Sequence, residues 1–373
     1  MPVRTSIQIF ALIHKVTHND LYSAAIRGSN APDAEVLAAK CEKERNWRFN
    51  YNVHFMNLVK LSGYSEEAGL GAANAGINYM HKNFEFVDPD NSANVKSFEE
   101  YMSIPAVPYE TGTVDGSSRG GKPLVVPYKG TDLTGSALKA QLSKWANYGT
   151  IEPDAAASIS KIVDAGEVNL TGQHFVIIGA GSAMGPYTKL LEHGATVLAI
   201  DIPGAWGEGP KKMWERLIST ARKSSGKLYF PLSKPQSQCA TDLDLFAAAG
   251  CNLTEQPAKI LAWINSVAPG ARFTIGNYTY LDSDMHVKLS LAADALIRGL
   301  VAARPNTAVA FLCTPTDIHI IPDEAHAAAA KNFGFHPGKV LEVFINLLSF
   351  GKYLKKNVLK PIKTVDGGSL KVI

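Results

Sequence analysis

Cysteine is scarce: Cys41, Cys239, Cys251 and Cys313 lie far apart, with no CxxC pair and no Cys/His ligand spacing. A disulfide framework or a structural zinc site is therefore not expected, and a reducing compartment is. The histidines form no HExxH or comparable cluster, so no metal is expected. No apolar run reaches the ~18 residues of a membrane span. Charge of one sign is scarce too. The 37 Lys and Arg against 34 Asp and Glu leave a formal +3. Basic runs are as short as Lys355-Lys356, so the clustered basic face of a nucleic-acid partner is missing. Near the N-terminus, Ile7–Ile13 is a short apolar patch interrupted by Gln8, with no small-residue cleavage site after it. Acids are absent before Asp20, as in transit peptides, but a cytoplasmic protein is the expectation.

Apolar material is plentiful. Hydrophobic residues make up 46% and charged residues 19%, enough for a sizeable core. The length points to two units, and the texture changes near Leu170. Residues 1–165 are expected to form a mainly helical region, with helices over Ala34–Arg48, Val53–Leu61, Glu66–Lys82, Ser136–Tyr148 and Asp154–Ala165. Their Pro/Gly-rich segment 87–135 reads as loop with short strands such as Leu124–Tyr128, suited to covering a substrate pocket or making an oligomer contact.

From residue 166 to 373 strand and helix alternate. Strands are predicted at His174–Ile178, Thr196–Ile200, Lys227–Leu232, Arg272–Gly276 and Thr307–Cys313. Helices are predicted at Ala183–His193, Lys211–Lys223, Gln256–Val267, Met285–Ala303, Asp323–Asn332 and Gly338–Tyr353. Such alternation predicts an α/β domain with a doubly wound parallel sheet covered on both faces. The apolar stretch Val340–Phe350, followed by Lys352, Lys355 and Lys356, reads as a core or dimer helix, with a membrane-surface helix as the alternative.

The segment His174-Phe-Val-Ile-Ile-Gly-Ala-Gly-Ser-Ala-Met-Gly-Pro joins the first of these strands to its helix. Gly179 suits a tight turn, Gly181 a close approach to a pyrophosphate, and Gly185 close packing of helix on strand. Ser182, Ala183 and Met184 between them would offer N–H groups at the helix start. The spacing is GxGxxxG, one residue longer than GxGxxG. The second strand then ends at Asp201-Ile202, about 20 residues on, where a ribose-binding carboxylate belongs. A dinucleotide site is expected. The carboxylate favours NAD(H), while Trp206, Lys211 and Lys212 keep NADP(H) open.

With the glycine loop, Asp284-Met-His-Val-Lys288 and Val309-Ala-Phe-Leu-Cys-Thr-Pro-Thr-Asp in view, residues ~170–373 resemble the short-chain dehydrogenase/reductase superfamily. Val365-Asp-Gly-Gly is similar to the end of many members. The resemblance implies a Rossmann domain over 166–373, Lys288 on the cofactor ribose, and Thr314 and Pro315 beside the nicotinamide. Two departures stand out. Asp284 occupies the position of the family's catalytic tyrosine, and no Asn-Asn-Ala-Gly-like signature is evident. Tyr280 is the first choice to replace that tyrosine as proton donor and Tyr278 the second, with Lys288 tuning either one. Thr274 and Asn277 stand nearest the family's catalytic serine. The first 165 residues do not share the resemblance.

The expected activity is an NAD(P)-dependent oxidoreductase, moving hydride to or from a carbonyl/alcohol or activated C=C of a small organic substrate, in a dimer or tetramer. One rival is a SAM-dependent methyltransferase, since a glycine loop with an acid closing the second strand suits that cofactor too. The Lys288 helix, taken to follow the fifth strand, and the strand-to-Pro element favour the reductase. The other rival is a nucleotide-binding protein without redox turnover.

Overall fold

A computed structural model describes residues 18–88, 91–118, 120–312, 318–332, 340–350 and 360–372. They fall into two compact units, each discontinuous in sequence. Described residues of 81–124 and 165–312 build one, and those of 18–80, 125–164 and from 318 onward the other.

The first unit is α/β, with a six-stranded, mostly parallel sheet. Its strands are β1 (Glu110–Asp115), β2 (His174–Ile178), β3 (Thr196–Ile200), β4 (Lys227–Leu232), β5 (Phe273–Asn277) and β6 (Ala308–Phe311). The spatial order is β6-β5-β2-β3-β4-β1. Ile178 of β2 sits opposite both Ile200 and Asn277 in parallel register. β1 runs antiparallel to β4, pairing Glu110 with Leu232. An antiparallel edge was not expected, because β1 lies in the segment read as loop. Glu-Thr-Gly-Thr-Val-Asp has one large apolar residue, Val114, and the open edge of β4 makes it a strand.

Five helices of this unit bear on the site: α1 (Tyr187–Glu192), α2 (Glu208–Lys223), α3 (Asp242–Ala248), α4 (Pro257–Val267) and α5 (Ser283–Ala303). Trp214, Leu217, Ile218 and Ala221 follow the i, i+3, i+4, i+7 pattern of a buried stripe, and all four are fully buried. They join Ile177, Val197, Ala199, Leu228 and Phe230 in one core cluster. The alternate strand residues Val176, Ile178, Leu198 and Ile200 are buried as well. On that side Trp263 of α4 donates from Nε1 to Thr111 Oγ1 at 3.0 Å. Burial of both faces is why these strands read as unbroken apolar runs.

Three local readings are corrected. The helix expected from Ala183 starts at Tyr187, behind a turn that ends with Pro186 as its N-cap. Helix α3 was missed, although Thr241 and Asp244 form a capping box at its start. The Lys288 helix, α5, follows the fourth parallel strand, so its expected place after a fifth holds only when the antiparallel edge is counted.

The second unit contains helices at His18–Gly28, Ala34–Glu42 and Trp47–Ser62, packed around Ile26, Ala38, Cys41 and Leu61. Its helix Val340–Leu348 buries none of its residues, so of the two expected roles, core helix or dimer helix, it does not fill the first. Among the described residues, no helix is long and apolar enough to cross a membrane.

Candidate functional site

The strand order reverses between β2 and β5, and crevices at the carboxyl ends of such strands are where open α/β sheets bind ligands. A cavity of about 440 Å³ lies at that point. It collects three expected groups: Gly179, Gly181 and Ser182 after β2, Asp201 and Ile202 after β3, and Tyr278 and Tyr280 after β5. These segments are distant in sequence, and parallel register brings their strand ends together.

Of the two loop glycines, Gly179 is required by backbone geometry. Gly179 has φ 80°, and a Cβ there would lie 3.0 Å from the Tyr278 carbonyl. A Cβ on Gly181 would overlap the Met213 thioether and approach Asp201 Oδ2 to 3.1 Å. Gly185 is different. Nothing comes nearer than 3.4 Å to a Cβ there, so no close packing of helix on strand depends on it.

The loop's N–H groups are turned inward. Gly179 and Ala180 donate to Ile200 O, Ser182 to Gly179 O, and Gly185 to Ser182 O. Met184 N donates to Ser182 Oγ, and Gly181 N donates to Asp201 Oδ2 at 2.7 Å. Arg216 clasps the loop from outside, with Nη2 donating to Gly181 O at 2.8 Å. Ala183, Met184 and Gly185 do not line the cavity.

Asp201 thus ties the first two strand ends together, since its Oδ1 also accepts from Ile202 N at 2.8 Å. Burial pushes its pKa up, against the opposing pull of these two N–H bonds and of Arg216. A carboxyl raised in the folded state holds its proton more tightly there than in the unfolded chain. The stability this contributes is complete below an unfolded value of about 3.9 and is lost as pH rises through the folded pKa. Denaturant melts across that window are expected to show a decline that Asp201→Asn abolishes. Parallel profiles for the two proteins would exclude the effect.

The tyrosines differ sharply. Tyr280 is 74% exposed, and its hydroxyl donates to Asp282 Oδ1 at 3.0 Å. That bond to a carboxylate raises its pKa. Tyr278 is half-buried, its N–H is fixed to Ile178 O at 2.8 Å, and burial raises the pKa of its phenol. Asn277 spends its Oδ1 on Thr279 N and Oγ1, at 3.3 and 2.8 Å, shaping the turn that presents Tyr278. Lys288 does not line the cavity, whereas Met285 and Leu289 of the same helix do. The side chain of Asp284, and Thr314 and Pro315 entirely, lie outside the described residues.

Sequence reasoning missed one wall. Cys251, Asn252, Leu253 and Thr254 follow α3 and line the cavity, as does Met213 of α2. Cys251 N donates to Asp201 O at 2.9 Å, which pins the segment beside the acid. The available signal was repetition: Asn252-Leu-Thr254 and Asn277-Tyr-Thr279 form the same side-chain-to-backbone turn on two sides of one cavity. Comparison of the chain with protein-family models, curated proteins and solved structures finds no match.

Proposed function

We propose that the cavity binds the nucleoside portion of NAD(H), and that the protein is an NAD(P)-dependent oxidoreductase acting on a carbonyl/alcohol or activated C=C of a small molecule. The observation that carries this reading is the meeting of the glycine loop, Asp201 and the Tyr278–Leu281 segment in one cavity at the switch point. In chain order the five parallel strands lie third, second, first, fourth, fifth, which supports a Rossmann-type assignment for the domain.

The residues fit a nucleoside. Each Asp201 oxygen accepts one backbone N–H and keeps lone-pair capacity for a ribose hydroxyl. Ile202, Trp206 and Leu253 give apolar walls for a base. The bound cofactor would supply the hydride. Tyr278, a neutral phenol at physiological pH, would hydrogen-bond the substrate oxygen and deliver the proton. A carboxylate at Asp201 disfavours a 2′-phosphate, so NADH is expected to bind more tightly than NADPH.

A second reading has its own support. Among the described residues no Lys, Arg or His lines the cavity, and the N–H groups of Gly179 to Ser182, Met184 and Gly185 are bonded within the protein. A cofactor without phosphates needs neither, which favours SAM and methyl transfer. Fluorescence titration with NADH, NADPH and SAM separates the two. Tight NADH binding supports the oxidoreductase, and binding of SAM alone replaces it with the methyltransferase.

A further inference from the structure

Helix Val340–Leu348 of the second unit carries two unlike faces. Glu342 and Asn346, with Ser349 just past the helix, recur at i, i+4 and i+7 and form one polar stripe. Val340, Leu341, Phe344, Leu347 and Leu348 occupy the opposite face. A surface helix ordinarily turns such a face inward and its polar stripe to water. Here the order is reversed. Leu341, Leu347 and Leu348 are 70%, 74% and 65% exposed, whereas Asn346 and Ser349 are half-buried. Of the stripe only Glu342, in the first turn, is exposed. Val340 and Phe344 are exposed along with the leucines, and a contiguous apolar patch of this kind marks a surface that something else covers.

Charge indicates what covers it. Between Glu324 and Asp366 the chain has seven lysines and no arginine, against a single acid, Glu342. That stretch is therefore net +6 in a chain of formal +3, so everything outside it is net negative. Lys331, Lys360 and Lys363 are exposed, and the other four lie outside the described residues. In the chain, lysines precede the helix and follow it. A second copy packed face to face would set basic flank against basic flank, whether the two helices ran parallel or antiparallel, with only Glu342 to offset the repulsion. An anionic surface attracts both flanks. The exposed face is mostly aliphatic, which suits acyl chains rather than stacked bases. Nine residues span about 14 Å, too short to cross a bilayer but long enough to lie in its interface.

We propose that helix Val340–Leu348 docks on an anionic lipid membrane, with its apolar face in the acyl-chain boundary and the net positive charge of its stretch supplying the attraction. This goes beyond the cofactor reading and depends on neither hydride nor methyl transfer.

The test is co-sedimentation of the full-length protein with vesicles of equal parts phosphatidylcholine and phosphatidylserine, and with vesicles of phosphatidylcholine alone. Binding to the mixed vesicles is expected to be tighter by about tenfold or more, and to weaken as salt is raised. Leu347→Gln and Leu348→Gln together should weaken it about 100-fold, because two leucines no longer leave water. Both side chains are exposed, so thermal melts should match the wild type. Leu243→Gln, at a leucine 65% exposed in helix α3 of the first unit, should change nothing. The proposal is overturned if neither vesicle binds, if both bind equally, or if the double variant binds like the wild type. A dimer in sedimentation velocity that the double variant turns into a monomer, without vesicle binding, would assign the face to a second copy and overturn it as well.

Discussion

Alanine in place of Trp214 is expected to lower the unfolding free energy by about 4 kcal/mol, the middle of the range for a buried aromatic. The indole is fully buried between helix α2 and the sheet, with its ring centroid 5.6 Å from that of Phe230. Truncation would open a cavity among Leu217, Ile218, Leu245 and Phe246, residues of the same cluster drawn from two helices. It would also strand the Ile202 carbonyl, which accepts from Trp214 Nε1 at 2.9 Å. Ile202 follows Asp201 directly, so loosening this bond loosens the acid that holds the glycine loop. Trp214→Phe keeps most of the volume and loses only the hydrogen bond, and about 2 kcal/mol is expected. Urea denaturation of the three proteins gives the comparison. A loss below about 1 kcal/mol for the alanine variant would mean that this cluster does not hold the unit together.

Tyr278→Phe is expected to reduce turnover about 100-fold while leaving cofactor binding nearly unchanged, as befits loss of a general acid. Tyr280→Phe should stay within about threefold of wild type, because a group outside the reacting geometry contributes little. The asymmetry follows from environment. The Tyr278 ring packs against the core cluster and its backbone is fastened to the end of β2, so its hydroxyl is held in place. The Tyr280 ring lies in solvent beside His286, and its hydroxyl proton is already committed to Asp282. Steady-state kinetics with separate cofactor titrations check the pair. If Tyr280→Phe proves to be the silent enzyme, the choice made from sequence was right and burial was the wrong guide.

Much of the parallel sheet was legible. The bounds of β2, β3 and β4 match the predicted strands residue for residue, because burial on both faces leaves an apolar run that stops where the sheet stops. Asp201 and the two leading glycines were legible for a related reason. A tight turn at φ 80° and a strand-end acid are local demands that one residue type each satisfies well. What failed was nonlocal. β1 has no apolar run of its own and is a strand only beside β4. The loop donors were expected to face a phosphate, and whether they do depends on Asp201, twenty residues away. Asn252 gave no local sign of standing beside that acid.

Sequence alone therefore determined the α/β class of the first unit, its parallel strands and the glycine turn, since burial and backbone conformation write themselves into neighbouring residues. Tertiary structure decided which side chains share the cavity. It half-buried Tyr278 and exposed Tyr280, left Lys288 out of the lining and brought in Asn252. Those choices depend on which strand ends lie side by side and on the direction in which each following turn points. That is a matter of sheet order and packing, which spacing along the chain does not encode.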